Sequence, residues 1–211
     1  MTPTRFLLLP GWQNSGPGHW QSHWERQFGF ERLEQDDWWW PRRGDWMSRL
    51  EDTLLADDRP TVLVAHSLGN HLVAAWAAHS QNTSRVEAAL LVALPDIARA
   101  DMPPQLQAWA PIKTRRLPFP SIAVLSLNDP FCDEERGQQM AADWGSEPHT
   151  LGPAGHINGD SGLDDWPAGV ALLQALLVRA GLPRQLTAKV IGPAADAPSS
   201  PKPNPRIHPA S

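Results

Sequence analysis

The stretch Thr61-Val62-Leu63-Val64-Ala65-His66-Ser67-Leu68-Gly69 decides how the chain is read. An unbroken apolar run enters it, and helical periodicity leaves it, continuing from Leu68 to Ser80. Between them sits a serine with small residues two before and two after, Ala65 and Gly69. This is the pattern of a nucleophile elbow, in which small neighbours allow a sharp strand-to-helix turn. The turn presents the serine hydroxyl at the sheet edge beside a helix N-terminus. Ala65 stands where a glycine is usual. The plainer alternative is an ordinary strand-to-helix turn with Ser67 as the helix N-cap.

Working outward, similar apolar runs recur at Arg5 to Leu9, Ala88 to Leu94 and Ser121 to Leu127, with weaker ones at Phe30 to Glu34 and Glu147 to Leu151. Continuous rather than alternating hydrophobicity marks strands buried on both faces, as in a parallel sheet covered by helices. Helical periodicity also runs from Asp133 to Trp144 and from Trp166 to Ala180, the latter ended by Gly181 and Pro183. Strands and helices in alternation predict an α/β fold: a compact three-layer sandwich on a mostly parallel sheet of about six strands.

A serine hydroxyl needs a histidine to take its proton, and the histidine needs a carboxylate to fix its tautomer. Asp129 in Asn128-Asp129-Pro130 follows one predicted strand, and His156 in Gly155-His156-Ile157-Asn158 follows the last. Asp96, after Leu94-Pro95, is the alternative acid. His149 falls inside a predicted strand and reads as structural, His66 is expected to point away from the nucleophile, and His71 reads as a packing or capping residue. Acyl transfer also needs two N–H groups for the oxyanion. Leu68 is expected to supply one, and Trp12, in the loop Pro10-Gly11-Trp12-Gln13-Asn14-Ser15-Gly16-Pro17-Gly18, the other. That loop matches no phosphate-binding glycine pattern, and the first lysine of the chain is Lys113. His19 and His23 share a spacing of four, but no acidic or cysteine partner stands beside them with ligand spacing, so no metal is expected.

Composition narrows the field. The 211 residues suffice for one domain, 41% are apolar, and the net charge is −5, so no electrostatic footprint exists for nucleic acid or an anionic membrane. There are 11 Trp, 5 Phe and no Tyr, which excludes chemistry that needs a phenol. Seven tryptophans fall in the first 46 residues, either packing helices on the sheet or, around Trp12, walling an apolar acyl pocket. The single Cys132 fits a reducing compartment, no run approaches a membrane span, and a soluble, cytoplasmic protein is expected.

Taken together, Pro10 to Gly16, Asp37-Trp38 with Pro41, Ala65 to Gly69, Leu117 to Ser121, Asn128 to Pro130 and Gly155 to Asn158 resemble the small serine hydrolases of the α/β hydrolase superfamily that include the retinoblastoma-binding hydrolases. The resemblance covers about Arg5 to Ala180. It implies Ser67 as nucleophile, Asp129 as acid and His156 as base. Trp12, Gln13 and Asn158 are the expected substrate-binding residues. The expected activity is hydrolysis of a carboxylic ester or related small-molecule acyl compound through an acyl-enzyme, without cofactor. The alternative is a protein-interaction module on a hydrolase scaffold with an idle triad, though no sequence feature supports a protein partner. The hydrolase domain is expected over residues 1–183. Residues 184–211, rich in proline, are expected to form a flexible tail.

Overall fold

The computed structural model describes residues 3–184 and Leu186. The segment expected to form a proline-rich tail therefore lies almost wholly outside the described residues. Six strands, β1 (Arg5–Leu9), β2 (Glu31–Arg32), β3 (Thr61–His66), β4 (Val86–Val92), β5 (Ser121–Ser126) and β6 (Glu147–Leu151), form one sheet in the order β2-β1-β3-β4-β5-β6. Every neighbouring pair is parallel. Between the strands run α1 (Trp20–Phe28), α2 (Arg43–Leu55), α3 (Leu68–His79), the short α4 (Pro104–Gln107) and α5 (Glu134–Trp144), and α6 (Pro167–Arg179) closes the fold.

Alternate residues of the central strands face two separate cores, which is why their sequences read as continuously apolar. Leu8, Val64, Leu90 and Val124 lie in one core with Trp20 and Trp24 of α1 and Leu173 and Leu177 of α6. Leu7, Leu63, Leu91 and Ala123 lie in the other with Leu50, Leu72, Trp76 and Trp144 of α2, α3 and α5. The sheet is thus the middle of three layers.

The strand boundaries shift in detail. The expected strand over Phe30 to Glu34 shrinks to two residues. The strand expected over Ala88 to Leu94 runs from Val86 to Val92 and stops there because Ala93 turns to a positive φ of 53°. The β6 edge is largely exposed, so His149 sits on an outer strand rather than in a core. Helices α1 and α2, which apolar periodicity did not mark, pack on opposite faces of the sheet. The chain runs from β1 outward to β2, then crosses back to β3 on the other side of β1. The direction of winding therefore reverses between β1 and β3, and it is outside the carboxyl ends of two such strands that open α/β sheets place their ligands. The loop after β1 and the elbow after β3 meet there.

Candidate active site

Ser67 occupies the turn between β3 and α3 with φ 53° and ψ −122°, a strained conformation for a residue with a side chain. Its side chain makes no capping bond, so the N-cap alternative accounts for its position but not its hydroxyl. Two glycines make the turn feasible. A Cβ on Gly69 would lie 2.3 Å from the Leu9 carbonyl oxygen, so α3 can start this close to β1 only without one. A Cβ on Gly11 would lie 2.7 Å from the Ser67 Cβ and 3.2 Å from its Oγ. The elbow is anchored by the Ser67 N–H, which donates to the Val92 carbonyl at 3.0 Å. Asn70, fully buried, adds a bond from Nδ2 to the same carbonyl at 2.8 Å and accepts from the Val92 N–H at 3.2 Å.

The three expected triad residues come together although they follow three different strands. His156 Nε2 lies 2.8 Å from Ser67 Oγ, and His156 Nδ1 lies 3.0 and 2.9 Å from the two carboxylate oxygens of Asp129. A carboxylate only accepts, so Nδ1 carries the proton and Nε2 is left to accept from the serine hydroxyl. The Asp129 side chain is only 4% exposed. Asp96, the alternative acid, instead accepts from the Ala98 N–H and faces Arg136 at 3.5 Å, with no bond to His156.

The loop carrying His156 is held from several sides. Asn128 Oδ1 accepts from the Gly155 N–H at 2.8 Å, and Ser126 Oγ accepts from the Ala154 N–H at 3.0 Å. Trp20 Nε1 donates to the Ile157 carbonyl at 2.8 Å. His66 Nε2 lies 2.9 Å from the carbonyl oxygen of His156 itself, and the two rings are 5.0 Å apart. The His66 ring makes no hydrogen bond to the Ser67 hydroxyl, and beyond that expectation it reaches across to brace the backbone of His156. Since a carbonyl only accepts, His66 carries its proton on Nε2. His66 is buried, and burial pushes its pKa well below the ordinary histidine value.

His19 and His23 have separate roles. His19 caps α1, its Nδ1 accepting from the Gln21 N–H at 3.1 Å, and its ring stands edge-on to His66 at 4.6 Å. Burial, aided by the Arg32 charge and two other imidazoles, lowers its pKa to about 3, so it is neutral. His23 instead pairs with Asp165 at 2.9 Å. His71 is a packing residue as expected, with Nε2 donating to the Pro95 carbonyl at 2.7 Å.

A cleft of about 520 Å³ opens over Ser67 and His156, and Trp12, Gln13 and Asn158 all line it. The Trp12 indole donates to the Trp39 carbonyl at 3.0 Å. The N–H groups of Trp12 and Leu68 have no hydrogen-bond acceptor among the described residues, and that of Leu68 opens the first turn of α3. Asn158 is less free than expected, because its Oδ1 accepts from the Asp160 N–H at 3.0 Å and caps the 3-10 turn Gly159–Ser161. Of the N-terminal tryptophans, Trp20, Trp24 and Trp46 are core residues, Trp12 borders the cleft, and Trp39 and Trp40 are 64% and 61% exposed.

The model of the serine hydrolase family matches residues 6–175. The chain belongs to the serine hydrolase family. This serine hydrolase is similar to a YdeN-like hydrolase from Pectobacterium atrosepticum, at 29% identity and a TM-score of 0.75 over 85% of this chain and 93% of that one. It also resembles in fold the ydeN gene product of B. subtilis, at 20% identity and a TM-score of 0.63 over 84% and 100% of the two chains. The carboxylesterase CesB of Bacillus subtilis shares the fold at 13% identity and a TM-score of 0.55, over 85% and 84%. No curated protein matches the sequence significantly. No helix among the described residues is long and apolar enough to cross a membrane.

Proposed function

We propose that this serine hydrolase cleaves carboxylic esters or related acyl compounds through a Ser67-His156-Asp129 triad. The observation that carries the proposal is the continuous chain of hydrogen bonds from Asp129 through both nitrogens of His156 to Ser67 Oγ. His156 Nε2 takes the hydroxyl proton as Ser67 Oγ forms a bond to the acyl carbon. The negative oxygen is held by the N–H groups of Leu68 and Trp12, with the α3 N-terminus adding positive potential. The leaving group departs with the proton from His156, and the acyl group stays on Ser67. Water then gives one proton to His156 and its hydroxyl to the acyl carbon. Collapse of that adduct releases the carboxylic acid and returns the proton to Ser67.

The reaction needs no cofactor, and the single Cys132, buried and with its thiol pushed up to about 12 by desolvation, suits a cytoplasmic setting. A fluorophosphonate probe tests the assignment. Covalent labelling of the wild type that vanishes in Ser67→Ala supports it, and a folded wild type that stays unlabelled refutes it. The exposed Trp39 and Trp40 favour a second reading, a protein-binding surface beside an idle triad, and the unlabelled outcome would turn attention to it.

A further inference from the structure

The cleft is not uniform in chemistry. The loop after β6 returns across the carboxyl edge of the sheet until Gly159 meets Gly18, where a Cβ would lie 3.6 Å from the Gly18 backbone. The loop after β1 and the segment after His156 thereby form one wall, carrying Gln13, Asn14, Asn158 and Asp160. The segments after β4 and β5 form the facing wall with Pro95, Met102, Leu106 and Phe131. Phe131 stands edge-to-face on the His156 ring at 4.6 Å. The first wall is mixed, since Trp12 and Pro17 line it beside its four polar residues, whereas Pro95, Met102, Leu106 and Phe131 are all apolar.

The charge of this lining is one-sided. No Lys or Arg is among the described residues that line the cleft, and the Asp160 carboxylate accepts no hydrogen bond from another group among them. The two buried imidazoles beside the triad add no positive charge, because burial keeps His19 and His66 neutral. Two arginines stand behind the lining without entering it: Arg32 bonds Asn14 Oδ1 at 2.6 Å but is paired with Glu25 at 2.7 Å, and Arg26 bonds the Pro17 carbonyl at 3.2 Å, while the N–H groups at the start of α3 add positive potential beside Ser67.

On the reading of Ser67 and His156 given above, the leaving atom must face the nitrogen that protonates it, and the chain that continues from His156 carries the polar groups Asn158 and Asp160 into the cleft. We infer that the natural substrates join a short or medium apolar acyl chain, lying on the Met102 and Leu106 wall, to an uncharged or cationic polar leaving group on the Asp160 wall. Phosphate-bearing carriers such as coenzyme A are disfavoured. A leaving group with several phosphates would meet no Lys or Arg in the lining itself and would be repelled by Asp160 and by the net charge of −5.

Three hexanoyl thioesters with the same scissile bond isolate this effect: those of thiocholine, N-acetylcysteamine and coenzyme A, followed by thiol release at low ionic strength. The expected kcat/KM for the thiocholine and N-acetylcysteamine esters exceeds that for the coenzyme A ester by about tenfold or more. Asp160→Lys should narrow that gap severalfold, and added salt should narrow it too. An acetyl ester of N-acetylcysteamine should be poorer than the hexanoyl ester. A coenzyme A ester cleaved as well as the N-acetylcysteamine ester overturns the inference. So does a gap indifferent to Asp160→Lys and to salt, an acetyl ester as good as hexanoyl, or an enzyme that turns over none of the three. Fluorophosphonate labelling of the same preparation separates the two levels. A labelled enzyme with the wrong preference refutes only the substrate class, whereas an unlabelled one refutes the triad reading beneath it.

Discussion

Gly11 offers a sensitive test of the site, because it is a residue with no reactive group whose only role is to leave room. In Gly11→Ala the new Cβ would lie 2.7 Å from the Ser67 Cβ and 3.2 Å from the His66 carbonyl oxygen. Carbon atoms in contact sit about 3.5 to 4.0 Å apart, so the loop and the elbow must separate by about 1 Å. Neither side yields easily: the Ser67 Cβ is attached to backbone bonded to Val92, and the loop after β1 is held by the Gln13 N–H on the Trp38 carbonyl at 3.1 Å. A displacement of about 1 Å at the nucleophile costs on the order of a hundredfold in rate, or about 3 kcal/mol of activation free energy. The stability cost of overpacking is about 1 to 3 kcal/mol, so the variant should still fold. The assay is kcat/KM on p-nitrophenyl acetate, with the thermal unfolding midpoint measured in parallel. Gly16→Ala in the same loop, where a Cβ meets nothing within 4 Å, is the matched control and should retain activity. Gly11→Ala with wild-type activity would refute the account of the elbow. Equal losses in both variants would show that the loop matters for some reason other than contact with Ser67.

Asp129→Asn should lower kcat by roughly ten-thousandfold, since an amide no longer fixes the His156 tautomer, while Asp96→Asn should leave kcat within about threefold; the reverse ranking in steady-state kinetics would move the acid to Asp96. His66→Leu removes the donor to the His156 carbonyl and should lower kcat with little change in KM, and His66→Gln, which can still donate, should recover part of the loss; equal losses in the two variants would argue against the brace. Burial lowers the pKa of His71 from 6.5 to about 4, so the unfolded chain takes up a proton between those values that the folded one refuses. The His71 contribution is therefore complete above about pH 6.5 and falls by about 3 kcal/mol as the pH drops to about 4, with buried His19 and His66 adding losses of the same sign. Urea unfolding at pH 7 and pH 4 should show that loss, reduced in His71→Gln, and a profile flat over this range would contradict the burial argument.

What could be read from sequence and what could not divides along a physical line. The elbow, the strands after it and the order of Ser67, Asp129 and His156 were legible because each depends on residues within a few positions of one another. Helix α1 was not, because its buried face is half polar: beside Trp20 and Trp24, Gln21 is fully buried, bonding to Ser15 and to the Leu9 and Val64 carbonyls, and Ser22 is buried with it. A hydrophobic pattern cannot register a helix that docks partly through hydrogen bonds to strand backbone. The brace on the His156 loop was hidden for a related reason. Trp20 and His66 reach partners 137 and 90 residues away, and those partners are backbone carbonyls, which every residue has and no sequence motif marks.

The same contrast bears on how the site holds its shape. Ser67 is held in its strained turn by the bond of its N–H to the Val92 carbonyl, but His156 stands on a loop whose preceding element, β6, is an exposed edge strand. Its position depends on Ser126, Asn128, Trp20 and His66, which bind the loop backbone rather than the imidazole. Losing one of these four leaves the triad residues in place but widens the range of distances they sample. Substitutions here should therefore depress turnover more than substrate affinity, and removing two together should cost more than the sum of the single losses, because the supports act on one segment of about four residues.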